Sequence, residues 1–157
     1  MNAGIRFRQA SSGDLDEVMK IENSCFGTDA FSRQQIAYLM THSKGIFLIA
    51  EHEGQIAGYL SFIISRRHNT GRIYSIAVAS EHRGLGIAGI FMDRTIALSD
   101  EKDLRAVFLE VRTDNTAAIH LYKKKGFTIR SVKHNYYHDG ASAYKMMLPV
   151  QKKDSFI

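Results

Sequence analysis

A glycine-rich string near the middle of the chain contains the residue types that bind phosphate groups. The string Arg83-Gly84-Leu85-Gly86-Ile87-Ala88-Gly89 follows a strand-like run and opens a helix-like one. Successive backbone N–H groups in such a turn form a concavity for anions, and the N-terminus of the next helix adds about half a positive charge. Gly84 and Gly86 let the backbone approach a ligand without an intervening Cβ atom. With the charge of Arg83, the string predicts an anion site.

The same string matches the G-x-G-x-x-G pattern of dinucleotide-binding proteins. Those folds usually begin with the glycine turn and contain two nucleotide-binding halves, whereas several predicted strands precede Gly84 here. The ribose-binding acid would be Asp103 or Glu110, and Glu110 lies in the middle of a strand. These departures disfavour an NAD or FAD protein. A tight turn without any ligand remains an alternative.

Two further side chains have unusual settings. Glu110 is the only acid in the apolar run Ala106–Val111, and a carboxylate there is costly unless it faces a wet cleft or a partner. Its structural alternative is a salt bridge, to Arg112 or to a lysine. Tyr122 shares a helical stripe with Asn115, Ala118 and Ile119. On such a stripe, a tyrosine can simply pack in the core with its hydroxyl bonded to a buried partner.

Other reactive residues give weaker patterns. Cys25 could carry an acyl group, but it lies on the helical apolar stripe of Leu15, Val18 and Ile21 and is more typical of a small core residue. His134 and His138 have helical spacing but fall on a predicted strand and turn. The sequence therefore predicts no metal site.

Composition places these residues in one domain. The chain has 157 residues, one cysteine, and 21 Lys and Arg against 16 Asp and Glu, a formal net charge of +5. The excess of basic residues suits an anionic ligand or a nucleic-acid-associated partner, although these residues are scattered. A single cysteine permits no internal disulfide and favours a reducing, cytoplasmic location. We predict one domain over residues 1–150, a polar tail over 151–157, and neither a secretory signal nor a membrane span.

Hydrophobic periodicity and turn residues predict the element order β-α-α-β-β-β-α-β-α-β-β. Asp14 and Ser32 are predicted helix caps, Glu53-Gly54 a hairpin turn, and Asn69–Gly71 a second turn. The run Ile73 to Val111 reads as one βαβ crossover, and the last two strands flank Asp139-Gly140, the first of them extending through Tyr137. This order predicts an α+β fold whose mixed, mostly antiparallel sheet is flanked by helices.

Several segments resemble one family. Arg83–Ala88 is similar to the R/Q-x-x-G-x-G/A signature with which GCN5-related N-acetyltransferases (GNAT) bind the pyrophosphate of acetyl-coenzyme A, and "SIAVASEHRGLG" resembles that family's fourth strand and loop. "LEVRTDNTAAIHLYKKKGF", "NYY" and "CFGTDAFSRQQI" resemble the bacterial ribosomal-protein alanine N-acetyltransferases, the RimI type. The resemblance extends to about Pro149. Ser80 and Ser142 depart from the family's proline and frequent acid, which affects the expected ribosomal substrate more than the cofactor.

The resemblance implies an acyl-CoA N-acyltransferase fold and residue roles. Glu110 would be the general base, and Tyr122 would donate a proton to the leaving thiolate. Phe31, Tyr136 and Tyr137 would line the acceptor side, with the role of each tyrosine left open. The residues implied in acetyl-CoA binding are Ile76, Ala77, Val78, Arg83, Gly84, Leu85, Gly86, Ile87, Ala88, Gly89, Asn115 and Tyr122. Gly89 is also expected to allow close packing within its helix.

The implied reaction is direct transfer of acetyl from acetyl-CoA to a primary amine, most simply the N-terminal α-amine of a protein. At pH 7 an α-amine is roughly 10% neutral and a lysine roughly 0.04%, which suits a lone glutamate base. The implied partners are acetyl-CoA and a protein N-terminus, with a ribosomal protein as candidate, and neither nucleic acid nor membrane; the chain would be a monomer or a dimer.

Two alternatives remain from the sequence. One is acetylation of a small amine such as a polyamine, an amino acid or an aminoglycoside, in an acidic pocket supplied by the acids of the first two helices: Asp14, Asp16, Glu17, Glu22 and Asp29. The other is a non-catalytic coenzyme A-binding regulator or a basic RNA-associated module. Retention of both Glu110 and Tyr122 argues against the second.

Overall fold

The computed structural model describes residues 4–41 and 44–150, so the predicted tail 151–157 lies outside the described residues. The secondary structure follows the predicted order. The elements in chain order are β1 (Ile5–Gln9), α1 (Leu15–Phe26), α2 (Arg33–Thr41), β2 (Gly45–His52), β3 (Gln55–Ser65), β4 (Thr70–Val78), α3 (Ile87–Glu101), β5 (Ala106–Arg112), α4 (Thr116–Lys124), β6 (Thr128–Lys133) and β7 (Ala143–Pro149).

The strands form one seven-stranded sheet in the order β1-β2-β3-β4-β5-β7-β6. β4 and β5 are parallel, joined by the crossover helix α3, whereas β1–β2, β2–β3, β5–β7 and β6–β7 are antiparallel. The predicted fold class, a mixed and mostly antiparallel sheet with helices, is therefore confirmed. Within the described residues, no helix is long and apolar enough to cross a membrane.

The described chain divides into two compact units. The first comprises the residues up to Ile63 together with Tyr74–Phe91, and the second comprises Ile64–Ile73 together with the residues from Met92 onward. The single domain expected over residues 1–150 remains a prediction.

The first unit is built on β1, β2 and β3 with helices α1 and α2. Glu53 and Gly54 both have positive φ, 55° and 75°, which is the backbone that a two-residue hairpin between β2 and β3 requires. α2 begins with the predicted cap, because Ser32 and Gln35 exchange hydrogen bonds of 2.8 and 3.1 Å between side chain and backbone. The core cluster of this unit consists of Val18, Ile21, Ile36, Leu39, Phe47, Ile49, Tyr59 and Ala77.

Asp14 precedes α1 as predicted, but its carboxylate does not cap that helix. It accepts the Ser11 N–H at 2.8 Å and two hydrogen bonds from the Arg8 guanidinium, each 2.8 Å. Arg8 therefore holds the pKa of Asp14 at about 2, below its ordinary value of 3.8. Because the folded-state pKa is depressed, the pair stabilises the fold above the ordinary pKa, and this contribution is lost as the pH falls toward 2.

Replacing Asp14 by asparagine should reveal how much the Arg8–Asp14 pair contributes to the stability of the fold. We expect Asp14→Asn to lower the free energy of unfolding at neutral pH by about 1–3 kcal/mol, because Arg8 loses a charged partner. The difference from the unmodified protein should shrink as the pH falls below 4 and the Asp14 carboxylate becomes protonated. Urea unfolding at several pH values measures it. Asp16→Asn is the control, since the Asp16 side chain is 74% exposed; an equal loss in both variants would contradict the prediction.

The second unit places β5 beside β4 and β7. Gly71 lies within β4 opposite Val107, so the predicted turn Asn69–Gly71 was wrong. The bend precedes β4 and ends at Asn69, whose φ is +55° and whose side-chain amide donates to the Asp103 carbonyl at 2.8 Å. α4 ends at Lys124, two residues before Gly126, the glycine at which the sequence predicts its end. Gly126 has a φ of +104°, which disfavours other residues.

The final strand pair is shorter than predicted. β6 ends at Lys133, and Asn135 adopts a φ of +54°, which ends extended structure before Tyr136 and Tyr137. These tyrosines therefore lie in a loop, whereas the sequence pattern predicted a strand through Tyr137. In this loop, their backbone N–H groups both donate to the Ala141 carbonyl, at 3.0 and 3.1 Å.

Candidate active site

The glycine-rich loop has the backbone that its sequence predicts. Gly84 and Gly86 adopt φ values of +85° and +80°, between a short 3-10 turn ending at His82 and the start of α3 at Ile87. A Cβ built on either glycine meets no atom within 4 Å, so the requirement for glycine comes from the backbone conformation and not from crowding. The open loop before the fifteen-residue helix α3 therefore suits an anion such as a pyrophosphate.

Arg83 points back toward the end of β4. Its Nε donates to the Val78 carbonyl at 3.1 Å, and Nη2 lies 3.6 Å from the Cys25 sulfur. The Cys25 sulfur also contacts the Val78 carbonyl, at 3.7 Å. Arg83 and Cys25 thus connect α1 and the glycine loop to Val78, the last residue of β4 and one of the three β4 residues implied in coenzyme binding.

The end of β4 is closely packed against β3. A Cβ on Gly58 of β3 would lie 2.6 Å from the Ala77 carbonyl oxygen, so only glycine fits there without a shift. Gly58 was not singled out from the sequence, although a glycine inside a strand pattern is a known sign of close backbone approach. Among the described residues, the parallel ladder of β4 with β5 comprises Thr70–Arg72, and β4 continues to Val78.

Glu110 is held by two cations in the second unit. Its side chain is 7% exposed, and its two carboxylate oxygens accept from Nη2 of Arg72 and, at 3.1 Å, from Nζ of Lys133. The sequence named a lysine or Arg112 as the alternative partner: a lysine is present, but Arg112 instead binds Asp114 and Asp139. The sequence did not identify Arg72 or Lys133 as a partner of Glu110, because neither has a local sequence signal that links it to Glu110.

Tyr122 lies buried on α4 with its ring 6.1 Å from that of Phe127. Burial raises the pKa of the Tyr122 hydroxyl well above its ordinary value. The hydroxyl therefore remains protonated throughout the neutral range and can donate a hydrogen bond. Glu110 on β5 and Tyr122 on α4 both belong to the second unit, on consecutive elements of the chain.

Asn115 caps α4, whereas the sequence leaves both Asp114 and Asn115 open as the cap. Its side-chain oxygen accepts the Ala118 N–H at 3.2 Å, and its carbonyl accepts the Ile119 N–H at 3.1 Å. The cap orients the start of the helix that carries Tyr122.

Substitutions of Asn115 test whether it only caps α4 or also binds the coenzyme. We expect Asn115→Ala to lower the free energy of unfolding by about 1 kcal/mol and also to weaken acetyl-CoA binding, because the resemblance implies a coenzyme contact. Asn115→Asp, which can still cap, should recover the stability but not the coenzyme affinity. Calorimetric titration with thermal unfolding of each variant measures both. Unchanged affinity in both variants would leave Asn115 only its capping role.

Tyr136 and Tyr137 lie in the loop after β6. Their rings are 5.0 Å apart at an interplanar angle of 86°, and Tyr136 is 44% exposed. The Arg112 guanidinium lies 5.1 Å from the centre of the Tyr137 ring, and its Nη2 pairs with Asp139 at 2.7 Å, which fastens the loop to the end of β5. Tyr137 is partly buried, and Tyr136 is the more accessible of the two.

Phe31, in the first unit, is positioned by the buried acid Glu22. The sequence did not predict this role for Glu22. The Phe31 backbone N–H donates to Glu22 at 2.8 Å, and the same carboxylate accepts from the hydroxyls of Tyr59 and, at 3.0 Å, Ser75. Glu22 is 1% exposed. Burial and the neighbouring Glu22 charge raise the pKa of Tyr59, which keeps that hydroxyl protonated as a donor.

At least four of the five acids named for a small-amine pocket have partners within the first unit. Glu22 is satisfied internally, Asp14 pairs with Arg8, and the exposed Asp16 and Glu17 pair with Arg33 at 2.6 Å and Lys20 at 3.0 Å. The first unit contains a cavity of about 530 Å³, lined by Glu17, Lys20, Ile21, Ser24, Gly54, Gln55, Ile56, Ala79, Ser80, Glu81 and His82. Within the described residues, no three His, Cys, Asp or Glu side chains are grouped to hold a metal ion.

The parallel β4–β5 pair joined by α3, with a glycine loop before that helix, is the arrangement that the resemblance implies for a coenzyme A-dependent acyltransferase. The profile of the Acetyltransferase (GNAT) family matches residues 15–127, and the chain therefore belongs to this family. It is an acetyl-CoA-dependent N-acetyltransferase.

Several known proteins are similar to this chain over nearly its full length. The chain is 31% identical to an N-alpha-acetyltransferase of Sulfurisphaera tokodaii, covering 92% of this chain and 93% of that protein. It is 32% identical to a putative [ribosomal protein bS18]-alanine N-acetyltransferase of Bacillus subtilis, covering 88% and 91%. The crystal structure of Ard1 from Thermoplasma volcanium is 31% identical, with a TM-score of 0.84 over 96% of this chain and 100% of that one.

Proposed function

We propose that this N-acetyltransferase acetylates the N-terminal α-amine of proteins or peptides by direct attack in a ternary complex. The observation that carries the proposal is that the buried carboxylate of Glu110 is connected, through Lys133, to the loop that carries the exposed Tyr136. Lys133 contacts both the Glu110 carboxylate and the Tyr136 ring, its Nζ lying 5.4 Å from the ring centre. A peptide lying along that loop would have its first amine directed toward Glu110.

The proposed division of roles is the one that the resemblance implies. Glu110 accepts the proton of the acceptor amine, directly or through water, and Tyr122 donates a proton to the leaving thiolate. Acetyl-CoA supplies the acetyl thioester. Its binding is assigned to the glycine loop and α3 start (Arg83, Gly84, Leu85, Gly86, Ile87, Ala88, Gly89), to the end of β4 (Ile76, Ala77, Val78), and to Asn115 and Tyr122.

The named relatives support this acceptor class. The Sulfurisphaera tokodaii relative is named an N-alpha-acetyltransferase, and the Bacillus subtilis relative a putative [ribosomal protein bS18]-alanine N-acetyltransferase. A glutamate base also suits an α-amine, because that amine is neutral far more often than a lysine at pH 7. Acetylation of a ribosomal protein N-terminus is the finer form of the proposal and rests on the Bacillus relative alone.

A small-amine acceptor receives less support from the residues. Polyamines and aminoglycosides would require a cluster of uncompensated acids. Among the acids named for such a cluster, Glu22 accepts hydrogen bonds from three donors and Glu17 pairs with Lys20. Glu17 and Glu81 line the 530 Å³ cavity of the first unit together with Lys20, so the charges there are mixed.

The test compares matched acceptors under one assay. Peptides with a free N-terminus and an internal lysine are compared with the same peptides blocked at the N-terminus, with bS18-derived and unrelated sequences, and with polyamines and aminoglycosides. Release of free coenzyme A thiol measures turnover. We expect turnover only on free N-termini. Preference for the blocked peptides or the small amines would overturn the proposal, and equal turnover on all N-termini would remove only its ribosomal form.

A further inference from the structure

One lysine of the chain already occupies the place that an acceptor amine would need. The Lys133 ammonium lies 3.1 Å from Oε2 of Glu110, while Arg72 holds Oε1. Its side chain is 39% exposed and stands at the end of β6, beside the loop that carries Tyr136. Glu110 is 7% exposed. An incoming amine must therefore exchange with Lys133 to reach Glu110.

We propose that Lys133 is an internal acceptor and that the enzyme acetylates its own Lys133 on Nζ. The inference rests on the proposed function in one respect, that Glu110 is the base that takes the proton of the acceptor amine. An amine hydrogen-bonded to that base is deprotonated at the acceptor position whether it belongs to a peptide or to the enzyme.

The reaction balances with the components of the established activity. Lys133 transfers one ammonium proton to Glu110, and the neutral Nζ attacks the carbonyl carbon of acetyl-CoA. The N–C bond forms and the C–S bond of the thioester breaks, releasing coenzyme A as a thiolate. Of the two protons that the ammonium loses overall, one protonates this thiolate and the other leaves to solvent. The products are acetyl-Lys133 and free coenzyme A, with no oxidant or additional reactant.

Neighbouring cations do not share this position. Lys145 is the direct cross-strand partner of Glu110 in the β5–β7 register, yet its ammonium lies 4.7 Å from the Phe108 ring centre. Lys125 is paired with Asp93 at 2.9 Å. Arg72 does contact Glu110, but a guanidinium does not release its proton in proteins and so cannot act as the nucleophile. The carboxylate contact therefore singles out Lys133 among these groups.

Two opposing effects determine the expected rate of Lys133 acetylation. A lysine ammonium holds its proton more tightly than an α-ammonium, which slows the step relative to peptide turnover. A positioned intramolecular amine, in contrast, gains a large effective concentration over amines free in solution. We expect one acetyl group to enter Lys133 on the timescale of many peptide turnovers, and at a rate that does not depend on enzyme concentration.

The experiment uses the purified full chain with isotope-labelled acetyl-CoA, so that acetyl groups acquired during expression are not counted. Mass spectrometry of proteolytic fragments follows the label at each lysine over time, at several protein concentrations, while peptide acetylation is measured in parallel. We expect Lys133 to be labelled at least about tenfold faster than Lys145, the matched control in the same molecule. Glu110→Gln, checked for folding by its circular dichroism and thermal transition, should remove this excess.

Each outcome decides the inference. Labelling of Lys133 no faster than Lys145 would overturn it, and if peptides are still acetylated, the proposed function stands. Excess labelling of Lys133 without peptide acetylation would support it and overturn the proposed acceptor. Excess labelling that survives in folded Glu110→Gln, or that grows with protein concentration, would show chemical or intermolecular acetylation and overturn it. If neither Lys133 nor any peptide is labelled, both proposals fail.

Discussion

Replacing Glu110 by glutamine is expected to lower kcat by about 10²–10⁴-fold, the usual range for losing a positioned general base. The amide is nearly isosteric but cannot accept the amine proton. The KM for acetyl-CoA should change little, because the proposed coenzyme contacts lie elsewhere. Steady-state and single-turnover rates on an N-terminal peptide measure the effect.

The same substitution also leaves two cations without their shared anion. Arg72 and Lys133 both contact Glu110, and the loss of their shared partner can cost about 1–3 kcal/mol. A loss of activity could therefore come from unfolding alone. The double variant Glu110→Gln with Lys133→Gln removes one of the two cations and should recover part of the stability without recovering kcat. Glu101→Gln, an exposed acid at the end of α3, is the inert control.

Two results would count against this role of Glu110. Unchanged kcat in a folded Glu110→Gln variant would remove the residue from proton transfer. Recovery of kcat in the double variant would show that the acid serves only to balance the charges of Arg72 and Lys133.

Replacing Gly86 by alanine is expected to weaken acetyl-CoA binding by about tenfold. Gly86 has a φ of +80°, and a residue with a Cβ loses about 1–2 kcal/mol in the left-handed region, where 1.4 kcal/mol corresponds to a factor of ten. The loop can escape this strain by changing conformation, and its N–H groups then no longer converge on the pyrophosphate. Calorimetric titration with acetyl-CoA and with coenzyme A measures the loss.

Gly54 supplies a matched control for Gly86. Its φ is +75°, and a Cβ built on it likewise meets no atom within 4 Å, but it lies in the hairpin between β2 and β3. Gly54→Ala should cost similar stability and leave acetyl-CoA affinity unchanged. Equal affinity of Gly86→Ala and the unmodified protein would contradict the assignment of this loop to the coenzyme, and equal weakening in both variants would trace the effect to general destabilisation.

Local signals in the sequence predicted most of the fold. Periods of two and 3.6 residues mark strands and helices because side chains alternate across a strand and recur on one helix face. The helix cap at Ser32 and the turn at Glu53-Gly54 depend on contacts within a few residues, and the structure confirms both. The predictions failed where a local pattern continued past a backbone break, as at Asn135, whose positive φ ends β6 early.

By itself, the sequence determined the element order and the glycine loop, because these depend on residue type and short spacing. Its resemblance to the family marked Glu110 and Tyr122 as candidates. Only the tertiary structure decided which groups surround them. Arg72 and Lys133 reach Glu110 from 38 and 23 residues away, and Tyr59 and Ser75 reach Glu22 from 37 and 53. A buried carboxylate must find donors, but strand pairing and register, which bring distant residues together, determine which donors it finds.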